Sequence, residues 1–203
     1  MNIINILFKF VMKTCKQFNI DESHGLKHSI DVFNYASKLY LLELHSNPKL
    51  VEKEQIIYIS AIIHDMCDHK YINENEGINR IKLLLEPFLD KKSINSIILI
   101  ITTMSHSKVK LNGFPNLDDD QLAYNIVREA DLLTAYDFDR SIVYAMNNKN
   151  LTYSDAFIET EGYFNVRVLT QIDSGLFLTK YGLEKAKILH ERVIETINIK
   201  KIF

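Results

Sequence analysis

The chain is poor in residues that break helices. Its 203 residues include three prolines and six glycines. That is little punctuation for a fold of many short strands and turns, and it favours a mostly helical protein. Cysteine is scarcer still. Cys15 and Cys67 make no disulfide framework, and two reduced thiols suit an intracellular compartment, so a cytoplasmic protein is expected. A basic surplus is also missing. Lys and Arg total 24 against 26 Asp and Glu, a formal net charge of −2. A dedicated binder of nucleic-acid strands usually carries a clear positive excess, so none is expected here beyond a local basic pocket. No uninterrupted run approaches the ~20 apolar residues of a membrane span. The opening Met1–Lys13 is apolar but broken by Lys9 and Lys13. It has no basic leader and no small-residue cleavage site, so a signal peptide is not expected.

What is present is a hydrophobic fraction of 47%, enough for a sizeable core in a single domain of this length. No repeat, low-complexity tract or linker interrupts it. Apolar residues recur at helical spacing. Residues 3–18 read as an amphipathic helix with Ile4, Leu7, Phe8, Val11 and Phe18 available to the core. A second helix, from about Gly25 to His45, carries a stripe of His28, Val32, Tyr35/Ala36 and Leu39. A third covers roughly 50–65. A fourth spans 74–88 with Ile78, Ile81, Leu84/Leu85 and Phe88 inward, and Ser93 is placed to cap a fifth. The stretch 105–118 reads as the longest loop. Further helices follow over 118–136, 137–147, from 152 or 154 to about 172, and from 179 to about 199. The expected fold is all-α.

Four residues on these helices or at their ends read as one metal site: His28, the adjacent pair His64–Asp65, and Asp131. The pair follows an apolar run of Ile56, Ile57, Ile59, Ala61, Ile62 and Ile63. Burying a carboxylate beside an imidazole is costly unless something pairs with both, and a divalent cation does so. Two imidazoles and two carboxylates suit Mn²⁺, Fe²⁺, Zn²⁺ or Mg²⁺ rather than a thiolate metal.

Three segments resemble a known family. Asp21-Glu-Ser-His24-Gly-Leu-Lys-His28-Ser-Ile-Asp-Val32 is similar to D-x-x-H-x-x-x-H-x-x-x-V. Ile63-His64-Asp65-Met-Cys-Asp68-His-Lys70-Tyr and Ile126-Val-Arg-Glu-Ala-Asp131-Leu-Leu-Thr-Ala follow in order. This arrangement resembles the HD superfamily of metal-dependent phosphohydrolases over about residues 20–190, nearly the whole chain. The resemblance implies a single HD-type helical bundle over 1–203, with a core of about 20–140 and C-terminal helices at about 150–200 packing on it. It implies one divalent ion, Mn²⁺ first and Mg²⁺, Fe²⁺, Zn²⁺, Ni²⁺ or Co²⁺ as alternatives. It also implies a small phosphorylated substrate, nucleotides foremost, handled by a monomer or homodimer. The closest look-alikes within the superfamily include nucleoside-triphosphate pyrophosphohydrolases.

Asp68 lies three residues beyond Asp65, where a carboxylate can orient or deprotonate a water; its bland alternative is a cap. Lys70, His106, Lys108 and Arg128 are candidate phosphate contacts, against the alternatives of solvated lysines, loop polarity and a surface ion pair. His24 sits one turn before His28 and reads as a substrate contact, a supporting histidine or a further ligand. His45, His69 and His190 read as ordinary, and Cys67 is not expected to be a nucleophile. One departure stands out. Relatives commonly read D-A-D-R-L-D-A in the third segment, and here Leu132 and Thr134 replace the Arg and second Asp. That favours a rival reading, a regulatory module that binds a nucleotide without turnover. An HD oxygenase with two irons ranks lower, because only His69 and His106 lie between residues 65 and 131 to serve as extra ligands.

Overall fold

A computed structural model describes residues 3–201. The expected all-α class is found, with no strand among the described residues. Ten α-helices run in order: α1 Ile3–Phe18, α2 Leu26–Ser46, α3 Glu54–Ile63, α4 Glu74–Leu85, α5 Lys91–Thr103, α6 His106–Asn112, α7 Gln121–Thr134, α8 Phe138–Lys149, α9 Tyr153–Tyr163 and α10 Lys180–Lys200. Short 3₁₀ turns lead into α3 and α7, and a π-helical turn, Phe164–Val168, extends α9. By packing, the chain divides into two compact units that meet in sequence between Ala130 and Asp131.

The first unit is organised around α3. Seven of its ten residues, Ile56, Ile57, Ile59, Ser60, Ala61, Ile62 and Ile63, are buried. A helix apolar on all sides belongs in a core, and α3 packs against α1, α2 and α5. Leu7 and Val11 from α1, Val32, Ala36 and Leu39 from α2, and Ile97 and Ile100 from α5 are buried as well. Because α3 is central, the residues at its C-terminal end, His64 and Asp65, are delivered to the interior.

The loop after α3 is held by its own backbone. Met66 N–H donates to Ile63 C=O, Asp68 N–H to Asp65 C=O, and Tyr71 and Ile72 N–H to Asp68 C=O. Helix α4 then lies directly on this loop, and Gly77 makes that approach feasible. A Cβ at residue 77 would stand 2.7 Å from Cys67 Cα, 2.8 Å from Cys67 Cβ and 3.0 Å from the Met66 carbonyl oxygen. In an open helix Gly→Ala gains up to about 1 kcal/mol of helix propensity. Here the obstructing atoms are mainly backbone, so overpacking prevails, at roughly 1–3 kcal/mol. Gly77→Ala is therefore expected to lower the midpoint of chemical denaturation, and an unchanged or raised midpoint would show that α4 can retreat without cost.

The entry to α7 is fixed by Asp120. Its carboxylate accepts from Lys53 Nζ at 2.6 Å and from the Ser96 hydroxyl. Burial pushes this carboxyl up, but those two hydrogen bonds outweigh it and hold it below its ordinary value of 3.8. A carboxyl lowered by folding stabilises the native state above its unfolded pKa, and this contribution is lost as pH falls through the folded value. Between roughly pH 6 and pH 3 the wild type should lose more stability than Asp120→Asn. Parallel acid slopes in urea titrations would remove Asp120 from the acid response.

Several expectations need correction. The span 105–118 is not all loop: Ser105 caps the seven-residue α6, its side chain accepting from Lys108 N–H, and Gly113, at φ 75°, ends it. Only Val109 of α6 is buried, so no apolar stripe announced the helix. The cap of α5 is Asp90, which accepts from Ser93 N–H, rather than Ser93 itself. Helix α4 stops at Leu85, and Phe88 beyond it is exposed. A surface pairing for Arg128 does not hold either, since both Arg128 and Glu129 are buried.

In the second unit α8 packs on α9. Phe138 makes edge-to-face contacts with Phe157 and Phe164, centroids 5.6 and 4.9 Å apart. Asp137, Thr152 and Thr179 cap α8, α9 and α10, and Asn150 closes α8 in the left-handed conformation. His190 lies 6.4 Å from the Tyr136 ring centroid as a packing residue. No helix among the described residues is long and apolar enough to cross a membrane.

Candidate metal centre

Helices α2 and α3 pack together, and their contact brings the first two sequence segments face to face. His28, in the first turn of α2, is 3% exposed, and His64, the residue that ends α3, is 6% exposed. Their Nε2 atoms lie 3.1 Å apart. His64 Nδ1 is 2.9 Å from the Ala61 carbonyl oxygen. A carbonyl only accepts, so Nδ1 carries a proton, and in the neutral ring Nε2 is left with the lone pair toward His28. A hydrogen bond that fixes the tautomer from behind is the usual support of a metal-binding histidine. The sequence held a signal for it, because the last-turn carbonyls of a helix lack intrahelical partners and Ala61 lies three residues before His64.

Asp65 closes the set. Its Oδ2 lies 3.3 Å from His28 Nε2, 3.2 Å from His64 Nε2 and 2.9 Å from His24 Nδ1. One carboxylate oxygen thus faces three imidazoles. Burial pushes this carboxyl up, but the His64 charge and the His24 hydrogen bond outweigh it, so Asp65 stays well below the ordinary carboxylate range. It is therefore ionised wherever the protein is folded at neutral pH, as a metal ligand must be.

His24, His28 and Asp65 each offer a ligand atom, all within 4.8 Å of one another. The C-terminal end of α3 adds the negative pole of a helix dipole, which favours a cation within its last turn. Imidazole nitrogens, a carboxylate oxygen, a tautomer set from behind and a carboxyl kept ionised together fit a divalent cation.

Asp131 lies half-buried on α7, as the first residue of the second unit. Thr134 turns its hydroxyl onto the Asp131 carbonyl at 2.7 Å, and Leu132 is buried. Asp68 accepts from Lys70 N–H at 2.9 Å, with His69 Nδ1 at 3.3 Å and Lys70 Nζ at 3.7 Å. Lys70 and His69 are both exposed. Lys108 pairs with Glu74 at 2.6 Å. His106 is the half-buried first residue of α6. The Arg128 guanidinium stacks over Phe114 at 4.8 Å, with Glu129 at 3.8 Å. Cys67 is buried beneath Gly77, and burial pushes its thiol up to about 12, so it is no nucleophile at neutral pH. Tyr71 was not singled out from the sequence, yet its ring lies 5.7 Å from that of His24.

The fold is one already seen in crystals. YpgQ of Bacillus subtilis superposes with a TM-score of 0.67 at 19% identity, covering 98% of this chain and 94% of its own. A Lactobacillus plantarum structural-genomics target superposes with a TM-score of 0.66 at 16% identity, covering 99% and 98%. These likenesses establish the fold. In sequence, the uncharacterized protein L803 of Acanthamoeba polyphaga mimivirus is 29% identical over 122 residues, 55% of this chain and 48% of L803. The chain thus matches about half the length of that curated relative. No family model matches.

Proposed function

We propose that this chain is an HD-type metal-dependent phosphohydrolase acting on a small phosphorylated metabolite, foremost a nucleotide, with release of phosphate or pyrophosphate. The observation that carries the proposal is the convergence of His28 Nε2, His64 Nε2 and Asp65 Oδ2 within 3.3 Å of one another. These three residues would hold one divalent ion, Mn²⁺ first. Asp131 is proposed as a further ligand on the strength of the sequence motif alone. A bound divalent cation supplies charge neutralisation for a phosphoryl group and lowers the pKa of water.

The remaining roles belong to the chain's own side chains. Asp68 takes a proton from the attacking water as general base. Lys70, His106, Lys108 and Arg128 hold phosphate oxygens, and His24 supports the donor set from its place on Asp65. For Lys108 this role means exchanging Glu74 for substrate. The three cations Lys70, Lys108 and Arg128 are enough for a short phosphate chain and too few to follow a nucleic-acid strand.

The rival reading is a nucleotide-binding regulatory module. It is favoured by Leu132 and Thr134, whose side chains are buried and supply neither the Arg nor the second Asp of the relatives. A panel of nucleoside mono-, di- and triphosphates with Mn²⁺, Mg²⁺, Co²⁺ and Zn²⁺, read by phosphate and pyrophosphate release, separates the two. Turnover of a nucleotide supports the enzyme. Tight nucleotide binding with no turnover under any metal supports the module, and cleavage of an oligonucleotide with nucleotides inert overturns the substrate class.

A further inference from the structure

The donor set is tied to a second pair of residues that the proposed chemistry does not use. Asp21 organises the turn before α2. Its Oδ1 accepts from Ser23 N–H at 2.8 Å and from the Ser23 hydroxyl, and its carbonyl accepts from His24 N–H at 3.0 Å. The other carboxylate oxygen, Oδ2, accepts from the Tyr71 hydroxyl at 2.8 Å. Tyr71 comes from the loop that begins with His64–Asp65, 50 residues further along the chain. Its ring lies against His24, centroids 5.7 Å apart at 60°. His24 in turn meets the His28 ring edge-on at 5.9 Å and sets Nδ1 2.9 Å from Asp65 Oδ2.

The turn and the loop are thus joined twice, once through Asp21–Tyr71 and once through His24–Asp65. The first joint has no atom in the donor set. It holds the Tyr71 ring as a wall that limits how the His24 imidazole can rotate. The His24 nitrogen, in turn, occupies the same Asp65 oxygen that faces His28 and His64. Side chains one step behind a metal ligand commonly govern its orientation and the affinity of the site.

The geometry points to Asp21 and Tyr71 as positioning residues: the Tyr71 hydroxyl bond to Asp21 sets the His24 imidazole on Asp65 and so tunes how tightly the His28/His64/Asp65 set takes up a divalent ion. This inference rests on the metal-centre reading, and its test separates the two.

The full-length chain and its Tyr71→Phe variant, which keeps the ring and removes the hydroxyl, are titrated with Co²⁺ by calorimetry and visible absorption. The variant is expected to bind Co²⁺ about tenfold more weakly, the lower end of the usual range for such support, with an altered d–d spectrum. Wild-type affinity and spectrum in Tyr71→Phe would overturn the inference. A uniform fall in melting temperature with unchanged Co²⁺ binding would reduce the pair to a structural tie and overturn it equally.

Should the wild type take up no Co²⁺, the metal-centre reading fails, and the positioning claim is read in the metal-free protein. There the imidazole ¹⁵N–¹H spectrum should show a His24 Nδ1–H signal held by Asp65 that is shifted or lost in Tyr71→Phe. An unchanged signal would overturn it.

Discussion

Replacing Asp65 with alanine is expected to strip the chain of metal and abolish turnover. Asp65 gathers the site's imidazoles on one atom: its Oδ2 is within 3.3 Å of nitrogens on His24, His28 and His64. Without it the set loses the carboxylate that faces all three imidazoles, and with it much of the negative charge that balances a divalent ion. Metal content should fall from about one ion per chain to less than about a tenth of that, because binding depends on a deprotonated, preassembled ligand set. Elemental analysis after dialysis against a limiting chelator is the measurement, with circular dichroism to show that the helices persist. A variant that retains full metal would remove Asp65 from the centre, and with it the main support for the proposed chemistry.

Asp68→Asn should show the opposite pattern, metal retained and kcat lowered by about 10²–10⁴, the usual contribution of a general acid or base. The asparagine is chosen for a structural reason. Asp68 accepts from Lys70 N–H at 2.9 Å, and an amide oxygen accepts the same bond, so the loop keeps its shape while the carboxylate loses its charge and its basicity. An alanine would confound chemistry with loop unfolding. Wild-type turnover in Asp68→Asn would reduce Asp68 to the local cap that its hydrogen bonds describe. A large rise in KM with kcat unchanged would instead make it a binding residue.

The long amphipathic helices were legible because burying one face imposes a period on the residues. The stripe of His28, Val32, Ala36 and Leu39 on α2 is buried as the spacing predicts. On α5 Ile94, Ile97 and Ile101 are buried, while Ile98, at the same helical spacing, is half-buried. Helix α6 was illegible for the converse reason. With one buried residue in seven, it is held by its Ser105 cap and its Gly113 stop rather than by a face. Phe88 and Arg128 show the same limit from both sides. A phenylalanine beyond Leu85 reads as core by continuation, yet α4 has ended and Phe88 is exposed. An arginine beside a glutamate reads as surface, yet both lie inside, with the guanidinium over Phe114.

Sequence alone determined the helical class and singled out the residues proposed to carry the chemistry. Helix period and the pairing of His with Asp at the end of an apolar run are local properties, written in neighbours a few positions apart. Tertiary structure alone decided how those residues meet. That His28 and His64 present Nε2 to each other, that Asp65 gathers three imidazoles on one oxygen, and that Tyr71 reaches Asp21 across 50 residues all follow from how α2 and α3 pack and where the loop after α3 returns. Such contacts depend on side-chain direction and interhelical register, which neither spacing nor composition encodes. Gly77 is the clearest instance. In sequence it is one helix-weakening residue in α4, and in the fold it is the gap that lets α4 settle on Met66 and Cys67, the two residues that follow Asp65.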